Sequence, residues 1–104
     1  MRRAKLTPAA RADLLEILAY IAEATQGVRV AQRYVKKIRD HCHHLASLPF
    51  QRGVLRPDLA PELRSIPLEN YILILRYIED RLQIINILEG HRDIPEYFSV
   101  APPE

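Results

Sequence analysis

One cluster of side chains in the sequence could bind a metal ion, the run His41-Cys42-His43-His44. Imidazole nitrogen and thiolate sulfur are ligands that zinc prefers. The surrounding spacing is helical, however, and consecutive helical residues point about 100° apart, so the four side chains cannot converge on one ion. His41 and His44 share a face, and Cys42 falls on the apolar stripe. We therefore predict a buried thiol beside solvated histidines, with no metal and no other cofactor.

A second chemical candidate is the run His91-Arg92-Asp93, which follows the last predicted strand. Loops in such positions often carry function, and Arg92 could bind a phosphate group through two parallel hydrogen bonds. Arg92 could equally pair with Asp93 or Glu96 and hold the C-terminal turn in place. The sequence contains no glycine-rich phosphate loop, no nucleophile elbow and no distinct carboxylate pair.

Length and composition are typical of one globular domain, residues 1–104. Of the 104 residues, 48% are hydrophobic and 27% are charged, and the net charge is +2. So small an excess does not predict direct sequence-specific binding of nucleic acid. No signal peptide or membrane span is recognisable, and a single cysteine is typical of a reducing compartment. The basic residues form two clusters, one at the N-terminus (Arg2, Arg3 and Lys5) and one in a short helical stretch (Arg29, Arg33, Lys36, Lys37 and Arg39). They form either a solvated helix face or an electrostatic patch for an acidic partner or a nucleic-acid complex.

Apolar spacing and turn residues divide the chain into elements. Thr7 can cap a helix that begins at Pro8, and Gly27 is suited to the left-handed position after that helix. Pro49 ends the second helix. The predicted elements are a short edge strand at 2–6, helices at Pro8–Thr25 and Val28–Leu48, a loop at 49–61, strands at Glu62–Ile66, Tyr71–Ile78 and Arg81–Glu89, a helical turn at 94–98 and a frayed tail at 99–104.

This order, β–α–α–β–β–β, predicts an α+β fold with a helical hairpin on one face of a small, mainly antiparallel sheet. Glu79-Asp80 forms the turn between the last two strands.

The strand Tyr71–Ile78 is apolar on both faces. Residues alternate in direction along a strand, so Ile72, Ile74 and Arg76 share the face opposite to Leu73 and Leu75. Two helices can cover only one of these faces. The other is then covered either by the C-terminal segment or by a partner chain, because exposing such side chains costs roughly 1.5–3 kcal/mol each. We favour a partner. The next strand follows the same pattern, with Leu82, Ile84 and Leu88 alternating with Ile85 and Ile87.

Several segments together resemble the ParE-type toxins of the RelE/ParE superfamily. Leu6–Ile21 (LTPAARADLLEILAYI) is similar to the first strand and helix of these toxins. Leu63–Pro67 (LRSIP), Tyr71–Tyr77 (YILILRY) and Leu88–Asp93 (LEGHRD) are similar to their last three strands and the segment that follows. The resemblance spans about residues 4–98.

The resemblance implies the toxin of a type II toxin–antitoxin system in the bacterial cytoplasm, bound in a hetero-oligomer with a ParD-like antitoxin. Antitoxins of this kind carry a DNA-binding N-terminal part and a C-terminal segment that wraps the toxin. ParE-like toxins are described as inhibitors of DNA gyrase, whereas RelE-like relatives cleave mRNA on the ribosome.

Most residues of the RelE-type catalytic set are missing from this sequence. The first C-terminal strand has no lysine, and Ile72 stands where those enzymes place an arginine after the tyrosine. Arg92 matches the later arginine, but Phe98 occupies the terminal tyrosine position beside Tyr97. The resemblance thus implies a non-enzymatic inhibitor.

From these arguments we predict that Ile72, Ile74 and Arg76 contact the antitoxin. Arg92, Tyr97 and Phe98 are the candidates for binding the host target, DNA gyrase, and no catalytic residue is assigned. The alternatives are a ribosome-dependent mRNA endonuclease with unusual residues, and a toxin fold that has lost toxicity and only binds its partner.

Overall fold

The computed structural model describes residues 2–90. The predicted α+β class is confirmed, since two helices pack on one face of a five-stranded sheet with mixed strand directions. No helix in the described range is long and apolar enough to cross a membrane. In sequence order the elements are β1 (Arg3–Leu6), α1 (Pro8–Thr25), α2 (Val28–Ser47), β2 (Val54–Leu55), β3 (Arg64–Leu68), β4 (Tyr71–Ile78) and β5 (Arg81–Glu89).

Both predicted helices are confirmed, and local signals account for most of their boundaries. The Thr7 hydroxyl accepts a hydrogen bond from the Ala10 amide at 3.1 Å, and Pro8 occupies the first helical position. The prediction for the end of α1 was wrong in one respect: Gln26, not Gly27, adopts the left-handed conformation. Gly27 is extended instead (φ −144°), because it already begins α2 as its N-cap residue.

The strands lie in the order β1-β5-β4-β3-β2. β1 and β5 are parallel, and the remaining neighbours are antiparallel. Glu79-Asp80 forms the predicted turn, with Glu79 at φ 53°. The first and last strands of the chain are therefore neighbours, and the strands that follow the helices extend the sheet away from β1.

Two strand predictions needed correction. The predicted loop 49–61 contains β2, which pairs Val54 with Ser65 and Leu55 with Arg64. The strand predicted at Glu62–Ile66 is shifted to β3, and Pro67 lies within it. A proline is tolerated there because β2 ends opposite Arg64 and Ser65, so no strand on that side needs the missing N–H.

The main core lies between the helical hairpin and the sheet. Cys42 is fully buried within it, as the stripe on α2 predicted. Alternate residues of each strand point toward the helices, so β1, β4 and β5 all contribute. The buried members are Ala10, Leu14, Ile17, Ile38, Cys42, Leu45, Ala46, Leu73, Leu75, Leu82, Ile84 and Ile87.

Candidate functional site

The sheet face opposite the helices carries the three residues predicted to contact a partner. Ile74 and Ile72 belong to a second, smaller apolar cluster on this face. Arg76 follows them on β4, and its Nε donates a 2.8 Å hydrogen bond to Oε1 of Gln83 on β5. The three residues thus share a face as predicted, but their exposure differs.

The prediction that Ile74 lies on an open surface was wrong. Its side chain is 0% exposed, and it packs with Leu63 and Leu88. Among residues 2–90, the side chains that cover it from outside the sheet come from residues 56–63, here termed the covering loop. Leu59 and Ala60 of this loop pack against the same cluster. Ile72 stays half-buried, so the apolar surface left for a partner is smaller than the strand pattern indicated.

Hydrogen bonds give the covering loop a compact form. The Arg56 amide donates to the Leu63 carbonyl oxygen at 2.8 Å, and the amides of Leu59 and Ala60 donate to the Arg56 carbonyl oxygen. The Arg56 guanidinium also bonds both carboxylate oxygens of Asp58, at 3.1 and 2.8 Å, which lowers the pKa of that carboxyl. These bonds close residues 56–63 on themselves and hold the apolar side chains over β4.

A β-bulge in β5 changes which residues face the covering loop. Ile74 pairs with Asn86 and Leu75 with Ile84, so Ile85 is the extra residue. The predicted alternation was therefore wrong beyond Ile84, because one extra residue exchanges the two faces. Ile87, not Leu88, lies in the main core with Leu82 and Ile84, and Leu88 joins Ile85 in the second cluster.

The start of α1 satisfies the polar groups that the bulge leaves outside the ladder. Thr7 donates its hydroxyl to the Ile85 carbonyl oxygen at 2.7 Å and its amide to the Ile84 carbonyl oxygen at 3.0 Å. Asp13 accepts from the Ile87 amide at 2.8 Å and from Nδ2 of buried Asn86 at 3.0 Å. Asp13 is thus a structural carboxylate that joins α1 to β5.

Beside the apolar cluster, the same sheet face is strongly basic. Arg3 lies directly opposite Arg81 in the register of β1 and β5, and Lys5 lies opposite Gln83. Like charges in directly opposed positions are unfavourable. Within residues 2–90, no carboxylate pairs with Arg3, Lys5 or Arg81. This edge of the face is therefore suited to an acidic partner.

A groove between the outer sides of α1 and α2 is a second candidate surface, which the sequence patterns did not identify. Leu15 is 66% exposed there, and three basic residues line the same groove. The available signal was that Leu15 widens the apolar stripe of α1 beyond a single face. The lining residues are Arg11, Leu14, Leu15, Leu18, Gln32, Val35, Lys36 and Arg39.

The histidine–cysteine run adopts the arrangement predicted for it. Burial raises the pKa of the Cys42 thiol to about 11, which disfavours the thiolate that metal binding or nucleophilic attack requires. The rings of His41 and His44 lie 6.5 Å apart between centroids on the neighbouring face of α2. Among the described residues, no group of three or more His, Cys, Asp and Glu side chains is placed to hold a metal ion.

The residues predicted to bind the host target, Arg92, Tyr97 and Phe98, lie outside the described residues. So do Asp93 and Glu96, the alternative partners of Arg92.

Comparisons with known proteins agree with this architecture. A family model described as "ParE toxin of type II toxin-antitoxin system, parDE" matches residues 4–94. A chain of the solved structure "Chromosomal ParDE TA system from P. aeruginosa" superposes with a TM-score of 0.72 and is 26% identical. That alignment covers 86% of this chain and 96% of the other. Comparison with curated protein sequences gave no significant match. Since the family model spans most of the chain, the protein belongs to the ParE toxin family of type II toxin–antitoxin systems.

Proposed function

We propose that this protein arrests growth by binding DNA gyrase in the bacterial cytoplasm and is held inactive there by a ParD-like antitoxin. Membership of the ParE family over residues 4–94 carries this proposal. The related Pseudomonas structure, described as a ParDE system, supports an antitoxin as the partner.

Inhibition by binding is favoured over RNA cleavage because of what the open sheet face offers. A metal-free ribonuclease needs groups that orient the 2′-hydroxyl, stabilise the phosphate charge and protonate the leaving oxygen. The only cation on β3 is Arg64, but it lies opposite Leu75 and so points to the helix side of the sheet, where its guanidinium binds the Gly53 carbonyl oxygen and Gln51, both at 3.1 Å. The middle of the face is occupied by buried Ile74 beneath the covering loop.

The target assignment is tested with purified protein. We expect it to inhibit the supercoiling activity of gyrase and the cognate antitoxin to relieve that inhibition. If gyrase stays fully active at concentrations that arrest growth, the target is wrong. Primer extension on cellular mRNA after induction then tests the alternative, since ribosome-dependent cleavage leaves codon-aligned ends.

The antitoxin is proposed to contact two surfaces, because a segment that wraps the toxin can reach both. On the sheet face it would meet half-buried Ile72, Arg76 and the neighbouring basic edge formed by Arg3, Lys5 and Arg81. In the helical groove it would place an apolar residue against Leu15 and Leu18 and acidic residues near Arg39. Buried Ile74 would act indirectly, because it packs against Ile72 and the covering loop and holds them in position.

Two charge-introducing substitutions test these contacts. Leu15→Glu and Arg76→Glu should each weaken antitoxin binding at least tenfold, about 1.4 kcal/mol, measured by calorimetric titration. Val54→Glu is the control, because Val54 is 67% exposed against 66% for Leu15, lies on β2 at the opposite edge of the sheet from β1, and does not line the helical groove. Equal effects of all three substitutions would show only general sensitivity to added negative charge. Unchanged affinity in Leu15→Glu would remove the groove from the proposal.

A further inference from the structure

A cleft at the end of α2 brings together three groups that the proposed function does not use. His41 and His44 line it from the helix, and Arg52 lines it from the segment that precedes β2. The remaining lining residues are uncharged: Leu45, Leu48, Gly53, Val54, Ser65, Ile66 and Pro67.

Negative charge is absent from this region of the chain. From His41 to Pro57 the sequence has no aspartate and no glutamate. Burial lowers the pKa of His41, and the positive charges of His44 and Arg52 lower it further. The residues that β3 contributes to the cleft carry no charge. The three cationic or titratable groups therefore repel one another, and an anion bound among them would remove that repulsion.

Arg52 is held in place by its neighbours on both sides. Its backbone amide donates to the Tyr77 hydroxyl at 3.0 Å. Gln51 and Gly53 are both bound by the Arg64 guanidinium. Gly53 has φ +95°, and a Cβ there would lie 2.9 Å from Cγ1 of Ile66. The backbone that carries Arg52 is thus fixed, while its side chain remains exposed to a ligand.

We propose that this cleft is a binding site for a phosphate group, with Arg52 contacting two oxygens and His41 and His44 donating to the others. Arginine matches phosphate geometry through paired hydrogen bonds, and a tetrahedral anion offers further oxygens to donors on the opposite wall. The site is separate from both proposed antitoxin surfaces, and the inference does not rest on the proposed function.

The phosphate could belong to a free nucleotide or to the backbone of a nucleic acid. An aromatic ring lies next to the site, since the Arg52 guanidinium is 5.6 Å from the ring centroid of Phe50, which is exposed. A base could stack on this ring when its phosphate occupies the cleft. Both sources share the same chemistry at the three binding residues.

The test is an NMR titration of the full chain with inorganic phosphate, following the histidine ring signals at constant ionic strength. The signals of His41 and His44 should move with a common saturation curve. His43 is an internal control, because it lies on the same helix but lines a different cleft, with Arg2, Arg3 and Lys5. Parallel movement of all three histidines would overturn the proposal, because it would indicate only an ion atmosphere. Acetate that binds as tightly as phosphate would overturn the phosphate assignment.

Substitutions give a second, independent measurement. Arg52→Gln should weaken phosphate binding about tenfold, because it removes one charged hydrogen-bonding group. Arg29→Gln, the same charge change at the opposite end of α2, should leave affinity unchanged. Equal losses in the two variants, with circular dichroism showing both folded, would refute a localised site.

Two further ligands distinguish the sources. A nucleoside monophosphate that binds more tightly than phosphate, and as tightly as a ten-nucleotide single strand, would assign the site to nucleotides. A single strand that binds at least tenfold more tightly, with affinity falling steeply as salt rises, would assign it to a nucleic-acid backbone. Failure of both to compete with phosphate at His41 would overturn the proposal.

The affinity should also depend on pH. Anion binding favours protonated His41, whose pKa is lowered in the free protein, so affinity should rise as pH falls below neutrality. Sulfate is the probe for this measurement because it does not titrate in that range. Constant sulfate affinity from neutrality to pH 5 would exclude a role for the histidines.

Discussion

Replacing Ile74 with alanine should destabilise the protein even in the absence of any partner. Ile74 is 0% exposed and packs with Leu63 and Leu88. The substitution removes about three buried methylene equivalents, and the lost hydrophobic burial costs about 2.4 kcal/mol. The covering loop and β5 are held by backbone hydrogen bonds and cannot collapse fully into the space, which adds a cavity cost. We expect a total loss of about 3–4 kcal/mol in the free energy of unfolding.

Urea denaturation followed by circular dichroism measures this loss. Ile72→Ala is the matched control, because Ile72 lies two residues away on the same face but is only half-buried. It should cost about 1 kcal/mol, in proportion to the smaller area removed from water. The slope of unfolding free energy against urea should stay unchanged in both variants.

If Ile74→Ala costs no more than Ile72→Ala in the isolated protein, Ile74 is open to solvent and the covering loop does not close over it. The apolar face would then need a partner, as the strand pattern alone suggested. If adding Leu63→Ala to both variants removes the difference between their unfolding free energies, Leu63 is the residue that covers Ile74.

Individual contacts of Thr7, Cys42 and Gly53 lead to four further predictions. Thr7→Ala removes both the cap of α1 and the bond to the Ile85 carbonyl oxygen, and should cost about 1–2 kcal/mol in thermal unfolding. Thr7→Ser keeps the hydroxyl and should cost less than half as much, so equal losses would contradict a hydrogen-bonding role. Cys42 should react with iodoacetamide at pH 8 far more slowly in the native state than in urea, because its thiol is fully buried. Burial raises the pKa of that thiol to about 11. The neutral thiol therefore stabilises the native state fully below its ordinary pKa of 9.0, and the free energy of unfolding should fall as pH rises toward 11. A constant free energy of unfolding across that range would contradict the shift. Gly53→Ala should destabilise by about 1 kcal/mol or more, because the backbone has φ +95° and the new Cβ would meet Ile66, and an unchanged urea midpoint would show that the segment rearranges freely.

The helices could be predicted from sequence because their signals are local. Thr7 and Pro8 mark the start of α1, and apolar residues at three- and four-residue steps define the buried stripes. The α+β class followed from the order of elements, and the family from several short segments in the same order. Each of these inferences uses residues close together in the chain.

Strand boundaries depended on more distant parts of the molecule, and the left-handed residue after α1 depended on where the next helix begins. β2 is only two residues long and exists because β3 offers it an edge. Pro67 can lie in β3 because β2 stops short of it. Gln26 takes the left-handed conformation because Gly27 is already required by the next helix.

The candidate site divides in the same way. The sequence alone determined that β4 is apolar on both faces, since side-chain direction follows from the period of a strand. Only the tertiary structure decided what covers the second face. The covering loop packs on Ile74 through contacts between segments that no local sequence pattern relates. The bulge at Ile85 moves the residues that follow it in β5 to the opposite faces of the sheet. Local geometry fixes where a side chain points, whereas the neighbour that it meets depends on long-range packing.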